Sequence, residues 1–106
     1  MIKGMMILAD GFEDTEAIAT RDVLERTHQI QVDLVSLTSR KEVRSSHNVF
    51  VLLHKTLMEV NEKDYDFVVL PGGKEGMENL KKDEKVRSLL LHFFKEGKLV
   101  SAICAS

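Results

Sequence analysis

The chain has 106 residues, a net charge of −2 and 30% charged side chains, so it offers no basic field for nucleic acid or an anionic membrane surface. Its 43% hydrophobic content suits a modest soluble core, no apolar run is long enough to span a bilayer, and the start "MIKGMMILAD" is too short in apolar residues for a signal peptide. A single cysteine excludes an internal disulfide and fits a reducing, cytoplasmic setting.

Taken in order, "GMMILA" (Gly4–Ala9) is a continuous apolar run, as expected of a strand covered on both faces. "DGFED" then breaks the chain at Gly11 and offers Asp14 as a helix N-cap. "TEAIATRDVLERTH" reads as a helix. At 100° per residue, Glu16, Thr20, Val23, Leu24 and Thr27 share the face expected against a sheet, and Ile18 points away. "IQVDLVSL" (Ile30–Leu37) is a second strand. In "TSRKEVRSSHNVFVLLHKTL" polar residues flank "VFVLL", which suggests a hairpin or an edge excursion. "EVNEKDYD" is a polar connection.

"FVVLPGG" is a buried β-branched strand cut off by Pro71 and two glycines. A short helical turn is expected over Gly76–Leu80, and Asp83 caps the clearest helix. Val86, Leu89, Leu90, Phe93 and Phe94 form that helix's apolar stripe, and Gly97 closes it. "KLVSAI" (Lys98–Ile103) is the last strand. Strands alternating with helices predict an α/β sandwich around a mainly parallel sheet.

In open α/β sheets, sites form where strands exit at their carboxyl ends. Three elements qualify: Glu16 after the first strand, Gly72 and Gly73 after "FVVL", and Cys104 after "LVSAI". Ala102 and Ser106, two before and two after the cysteine, are small, as a tight nucleophile elbow requires. A helix starting just beyond Cys104 would favour its thiolate. A carboxyl group at Glu16 beside that sulfur suits a proton shuttle to a bound carbonyl compound. Gly73 and Ala105 N–H groups could then form an oxyanion hole, with Gly72 part of the same turn. The bland alternatives are a buried cysteine, a solvated first-turn glutamate and an ordinary Pro-Gly-Gly turn. Of the histidines, His28 and His54 read as peripheral and His92 as lying on a solvated face.

"ILADGFEDTEA", "SSHNV", "YDFVVLPGG" and "SAICAS", in that order, resemble the ThiJ/PfpI family, and within it the DJ-one branch. The resemblance covers the whole chain. It implies a flavodoxin-like sandwich, homodimers, a key glutamate at Glu16, an oxyanion glycine at Gly73 and a reactive cysteine at Cys104. It also implies dimer contacts around Thr15 and Ile18. Ala105 stands where the protease-like branch has histidine, which argues against a protease. His47 stands where relatives often carry arginine, and Ser45 and Ser46 read as loop residues. Such proteins continue past the elbow with a helix, further strands and a histidine. Residues 1–106 are therefore expected to be the N-terminal portion of a single domain, its remainder absent from this chain and one sheet face left bare.

The implied activity is a glyoxalase or deglycase acting on small reactive carbonyls such as methylglyoxal, with no metal and no cofactor. The alternative is a redox-sensing, chaperone-like stress protein using the same cysteine oxidised to sulfinate. A glutamine amidotransferase fits less well, since those enzymes take their acid from a later His-x-Glu.

Overall fold

The computed structural model of the chain describes residues 1–102. Strand β1 (Ile2–Leu8) leads into helix α1 (Asp14–Glu25) and strand β2 (Ile30–Ser36). A small antiparallel hairpin follows, β3 (Glu42–Arg44) with β4 (Phe50–Leu52), then a short strand β5 (Lys55–Thr56). Two single 3₁₀ turns lead to β6 (Phe67–Leu70), helices α2 (Lys74–Lys81) and α3 (Glu84–Lys95), and β7 (Leu99–Ala102). The hairpin reading of the serine-rich segment is thus the one realised.

The main sheet has five parallel strands in the order β5-β2-β1-β6-β7. The expected α/β sandwich with a mainly parallel sheet is present. The period of two along each strand splits the core. Met5, Ile7, Val35 and Val68 face Leu80, Val86, Leu89 and Phe93 of α2 and α3. Met6, Leu8, Val32 and Leu34 face Ala17 of α1 together with Phe12, Val43 and Leu53. The chain leaves β1 toward β2 on one side and reaches β6 on the other, so β1 and β6 flank the topological switch point.

Two helix faces differ from expectation. In α1 the inward face is centred on Ala17, with Thr20, Arg21 and Leu24 half-buried beside it, whereas Val23 is 63% exposed. The reason is polar. Arg21 Nε donates to Val32 O (2.9 Å), and Glu25 Oε2 accepts from Val32 N–H (2.7 Å). These bonds rotate the helix toward its Arg–Glu side. In α3, Val86, Leu89 and Phe93 are buried and Leu90 half-buried, but Phe94 is 77% exposed, because the buried arc is narrower than the apolar one. On the same helix His92 is not solvated as expected. It is half-buried, and among the described residues its enclosed Nε2 has no hydrogen-bond partner.

The outer edge of β2 is capped by side chains. Besides Arg21 and Glu25 at Val32, His54 Nδ1 accepts from Leu34 N–H (2.8 Å) while its own N–H donates to Leu34 O (3.0 Å). His54 is therefore a structural group rather than a peripheral one. At the other rim Leu99 is 64% exposed, and a groove of about 400 Å³ lined by Leu24, Ile30, Phe67, Val69 and Leu99 runs on the α1 side of β6 and β7. Among the described residues this part of the sheet has no covering helix.

A buried polar cluster sits beside β2. Tyr65 O–H donates to Asp33 Oδ2 (2.6 Å), Gln31 donates to Oδ1 (3.0 Å), and Lys3 and Lys55 lie 3.9 and 3.6 Å from Oδ2. Burial and then the Asp33 bond push the Tyr65 phenol well above its usual value. Burial works against the Asp33 carboxylate, but the Tyr65 and Gln31 bonds and the two lysines outweigh it, so its pKa lies below the ordinary one.

Candidate functional site

The first helix begins where two backbone segments interlock. Gly11, at φ +90°, turns the chain out of β1. Glu13, not Asp14, is the N-cap: its Oε2 accepts from Glu16 N–H at 2.8 Å, and Asp14 opens the helix. This places the half-buried Glu16 in the first turn, over the end of β6.

Pro71, Gly72 and Gly73 are buried at that end. Gly72 N–H donates to Glu16 Oε1 (3.0 Å), and Gly72 O accepts from Glu13 N–H (2.9 Å). The glutamate and the Pro-Gly-Gly turn, 56 residues apart, are thus latched from both sides. Gly73 has φ +105°, and a Cβ there would stand 2.5 Å from Gly11 O and 2.8 Å from Glu13 N. Only glycine permits this approach. Among the described residues Gly73 N–H has no acceptor, whereas Gly72 N–H is taken up by the glutamate. The two glycines therefore differ among the described residues: Gly72 N–H is bonded to Glu16, and Gly73 N–H is not.

Strand β7 lies beside β6 in register, Leu70 opposite Ala102, and so leads to the same sheet edge as the Gly72–Gly73 turn. Cys104 and Ala105 lie outside the described residues. Of the sequence-predicted site residues, Glu16, Gly72 and Gly73 are brought together.

The hairpin adds parts that the sequence did not announce. Ser45 is fully buried: its Oγ accepts from His47 N–H (3.3 Å) and Val49 N–H (3.0 Å), and it bridges to Phe12. It is a structural hub rather than an ordinary loop residue. His47 is largely exposed, with Nδ1 3.4 Å from Asp14 Oδ1. The ligand atoms of Glu13, Asp14 and His47 lie within 4.8 Å of one another. Helix capping by Glu13 and the Asp14–His47 pair account for that grouping.

The family model described as the DJ-1/PfpI family matches residues 3–106. The chain belongs to the DJ-1/PfpI family. It is 36% identical over 102 residues to protein dj-1beta of Drosophila melanogaster, covering 96% of this chain and 54% of that protein. It is 37% identical over 99 residues to protein DJ-1 homolog B of Arabidopsis thaliana, covering 93% of this chain and 22% of that protein. Among solved structures, Drosophila melanogaster DJ-1beta superposes with a TM-score of 0.92 at 36% identity, covering 98% of this chain and 55% of that one. Oxidised Toxoplasma gondii DJ-1 gives 0.92 at 32%, covering 100% and 57%. A cysteine-to-alanine mutant of the DJ-1 superfamily protein STM1931 from Salmonella typhimurium gives 0.90 at 36%, covering 96% and 55%. These likenesses make the fold of this DJ-1/PfpI member flavodoxin-like. The chain spans about half the length, or less, of these relatives. Among the described residues no helix is long and apolar enough to cross a membrane.

Proposed function

We propose that this DJ-1/PfpI family member belongs to a cysteine-dependent, cofactor-independent enzyme of the glyoxalase or deglycase type, acting on small reactive carbonyls such as methylglyoxal. The observation that carries the reading is Glu16 Oε1 held 3.0 Å from Gly72 N–H at the switch point of the sheet. A carboxylate fixed by one backbone donor keeps its second oxygen for a substrate proton.

In this reading the Cys104 thiolate adds to the aldehyde carbon and forms a hemithioacetal. Gly73 and Ala105 N–H groups hold the alkoxide. Glu16 takes the proton from that carbon and returns it to the neighbouring carbon, giving the lactoyl thioester. Water then cleaves the C–S bond, releasing lactate and the thiolate. The sum is methylglyoxal plus water to lactate plus a proton, so no outside oxidant or reductant is needed. The reading includes a cytoplasmic homodimer, with the rest of the domain completing the site.

Turnover of methylglyoxal to lactate by the complete protein, compared with its Cys104→Ala variant, is the test. Wild-type turnover that vanishes in the variant is expected, and equal rates would end the proposal.

A second reading is favoured by the oxidised form of the Toxoplasma gondii neighbour. Here the same thiol is a sensor that two equivalents of peroxide take to sulfinate, releasing two waters. Mild peroxide followed by intact mass separates the two. A gain of two oxygens confined to Cys104, without carbonyl turnover, supports the sensor.

A further inference from the structure

The loop before α1 and the start of α2, which flank the bond between Glu16 and Gly72, are both tied to the hairpin through one residue. Arg44, at the end of β3, makes four bonds that tie its own turn to two other segments, the Asp10–Gly11 loop and α2. Its backbone N–H donates to Asp10 Oδ1 (3.0 Å), and its carbonyl accepts from Gly11 N–H (2.8 Å). Its guanidinium donates from Nη1 to Ser45 O (3.1 Å) and from Nη2 to Glu75 Oε2 (2.9 Å). Glu75 lies in the first turn of α2, directly after Gly73, and its Cβ, Cγ and Cδ lie across Gly11. The circuit closes through Asn79, which donates to Asp10 O (3.0 Å), and Gly76, whose N–H donates to Gly11 O (3.3 Å).

We propose that Arg44 is a positioning residue: with Glu75 it clamps the Gly11 loop against the start of α2 and so fixes the distance from Glu16 to the Gly72–Gly73 turn. This deepens the enzymatic reading above and rests on it for its kinetic consequence. The ion pair is partly exposed and adds little stability of its own. Its effect is geometric. Two loops meet backbone to backbone at Gly73 and Gly76, joined by Glu13 N–H to Gly72 O and Gly76 N–H to Gly11 O. Arg44 and Glu75 add a side-chain brace to these bonds from outside. An arginine serves better here than a lysine, because the planar fork reaches Ser45 O and Glu75 at once.

The test uses the complete protein and its Arg44→Ala, Arg44→Lys and Glu75→Ala variants. Two readouts are followed: kcat and KM for methylglyoxal, and amide hydrogen exchange by NMR at Gly72 and Glu13. Arg44→Ala and Glu75→Ala are each expected to lower kcat about tenfold with KM within about twofold, since a misplaced group costs rate more than binding. Gly72 and Glu13 amides should exchange about tenfold faster, with no change at β1 and β2 amides. Arg44→Lys should recover part of both effects, and the double alanine variant should be no worse than either single one. The clamp is refuted if Arg44→Ala leaves exchange at Gly72 and Glu13 unchanged, or if exchange rises equally across the sheet. A wild-type protein that does not turn over methylglyoxal would end the enzymatic reading alone, and the exchange experiment would still decide whether Arg44 holds the latch.

Discussion

Two carboxylates in this molecule are both tied to distant parts of the chain, and their settings are opposite. Asp33 is buried in the middle of β2, with Tyr65 and Gln31 bonded to it and Lys3 and Lys55 beside it. Glu16 stands at the end of the sheet with one backbone N–H on Oε1 and, among the described residues, no partner on Oε2. The contrast teaches how to separate scaffold from chemistry. A carboxylate whose lone pairs are all engaged holds segments together. One that is oriented by a single fixed donor keeps an oxygen for a reacting molecule.

That contrast can be broken by mutation, and the largest effect belongs to Glu16. In the complete protein Glu16→Gln should lower carbonyl turnover at least about a hundredfold, with the thermal midpoint within about 2 °C of wild type. A large loss of stability with modest loss of turnover would move Glu16 to the scaffold. Asp33→Ala should do the reverse. Stability falls by about 2–3 kcal/mol in urea unfolding because Tyr65 O–H loses its buried acceptor, while turnover per folded molecule is unchanged. Gly73→Ala should cost about 2 kcal/mol, since the side chain meets Gly11 O at an unfavourable φ. It should also lower turnover, showing both signatures at once.

The pH response sharpens the distinction further. The folded pKa of Asp33 lies below its ordinary 3.8. Its contribution is therefore complete above the unfolded value and is lost as pH falls through the folded one. Urea midpoints measured down through that window should fall more steeply for wild type than for Asp33→Asn. The smallest effect is expected at His92. Replacing it by leucine removes a buried nitrogen that has no partner among the described residues and should leave stability equal or raise it by about 0.5 kcal/mol.

The sequence made some of this legible, and physics explains where it stopped. Strand-exit positions are a property of chain order, so Glu16, Gly72 and Gly73 could be grouped before any coordinates. Which of the two glycines orients the acid depends on the direction of an N–H, which no spacing encodes. The α1 face was misplaced because apolar periodicity gave weight to Val23, while Arg21 and Glu25 reach the backbone of β2. An Arg-x-x-x-Glu pair preceding a strand was the available sign. Helical spacing puts Phe94 on the apolar stripe of α3, yet the helix presents it to solvent. The Asp33–Tyr65 bond spans 32 residues and joins two polar side chains in apolar surroundings, an association no local pattern announces. Ser45 looked like every other serine in a polar loop.

The polar fringe that Arg21, Glu25 and His54 draw along β2 has a consequence for how the sheet can grow. Amides and carbonyls at Val32 and Leu34, where β5 does not reach, are already spoken for, so that stretch of β2 offers no template to an incoming polypeptide. At the opposite boundary β7 presents Leu99 and Val100 to water. Among the described residues the two ends of the sheet thus differ: β2 is closed at Val32 and Leu34 by side chains, whereas β7 is a terminal strand that no side chain fringes in this way.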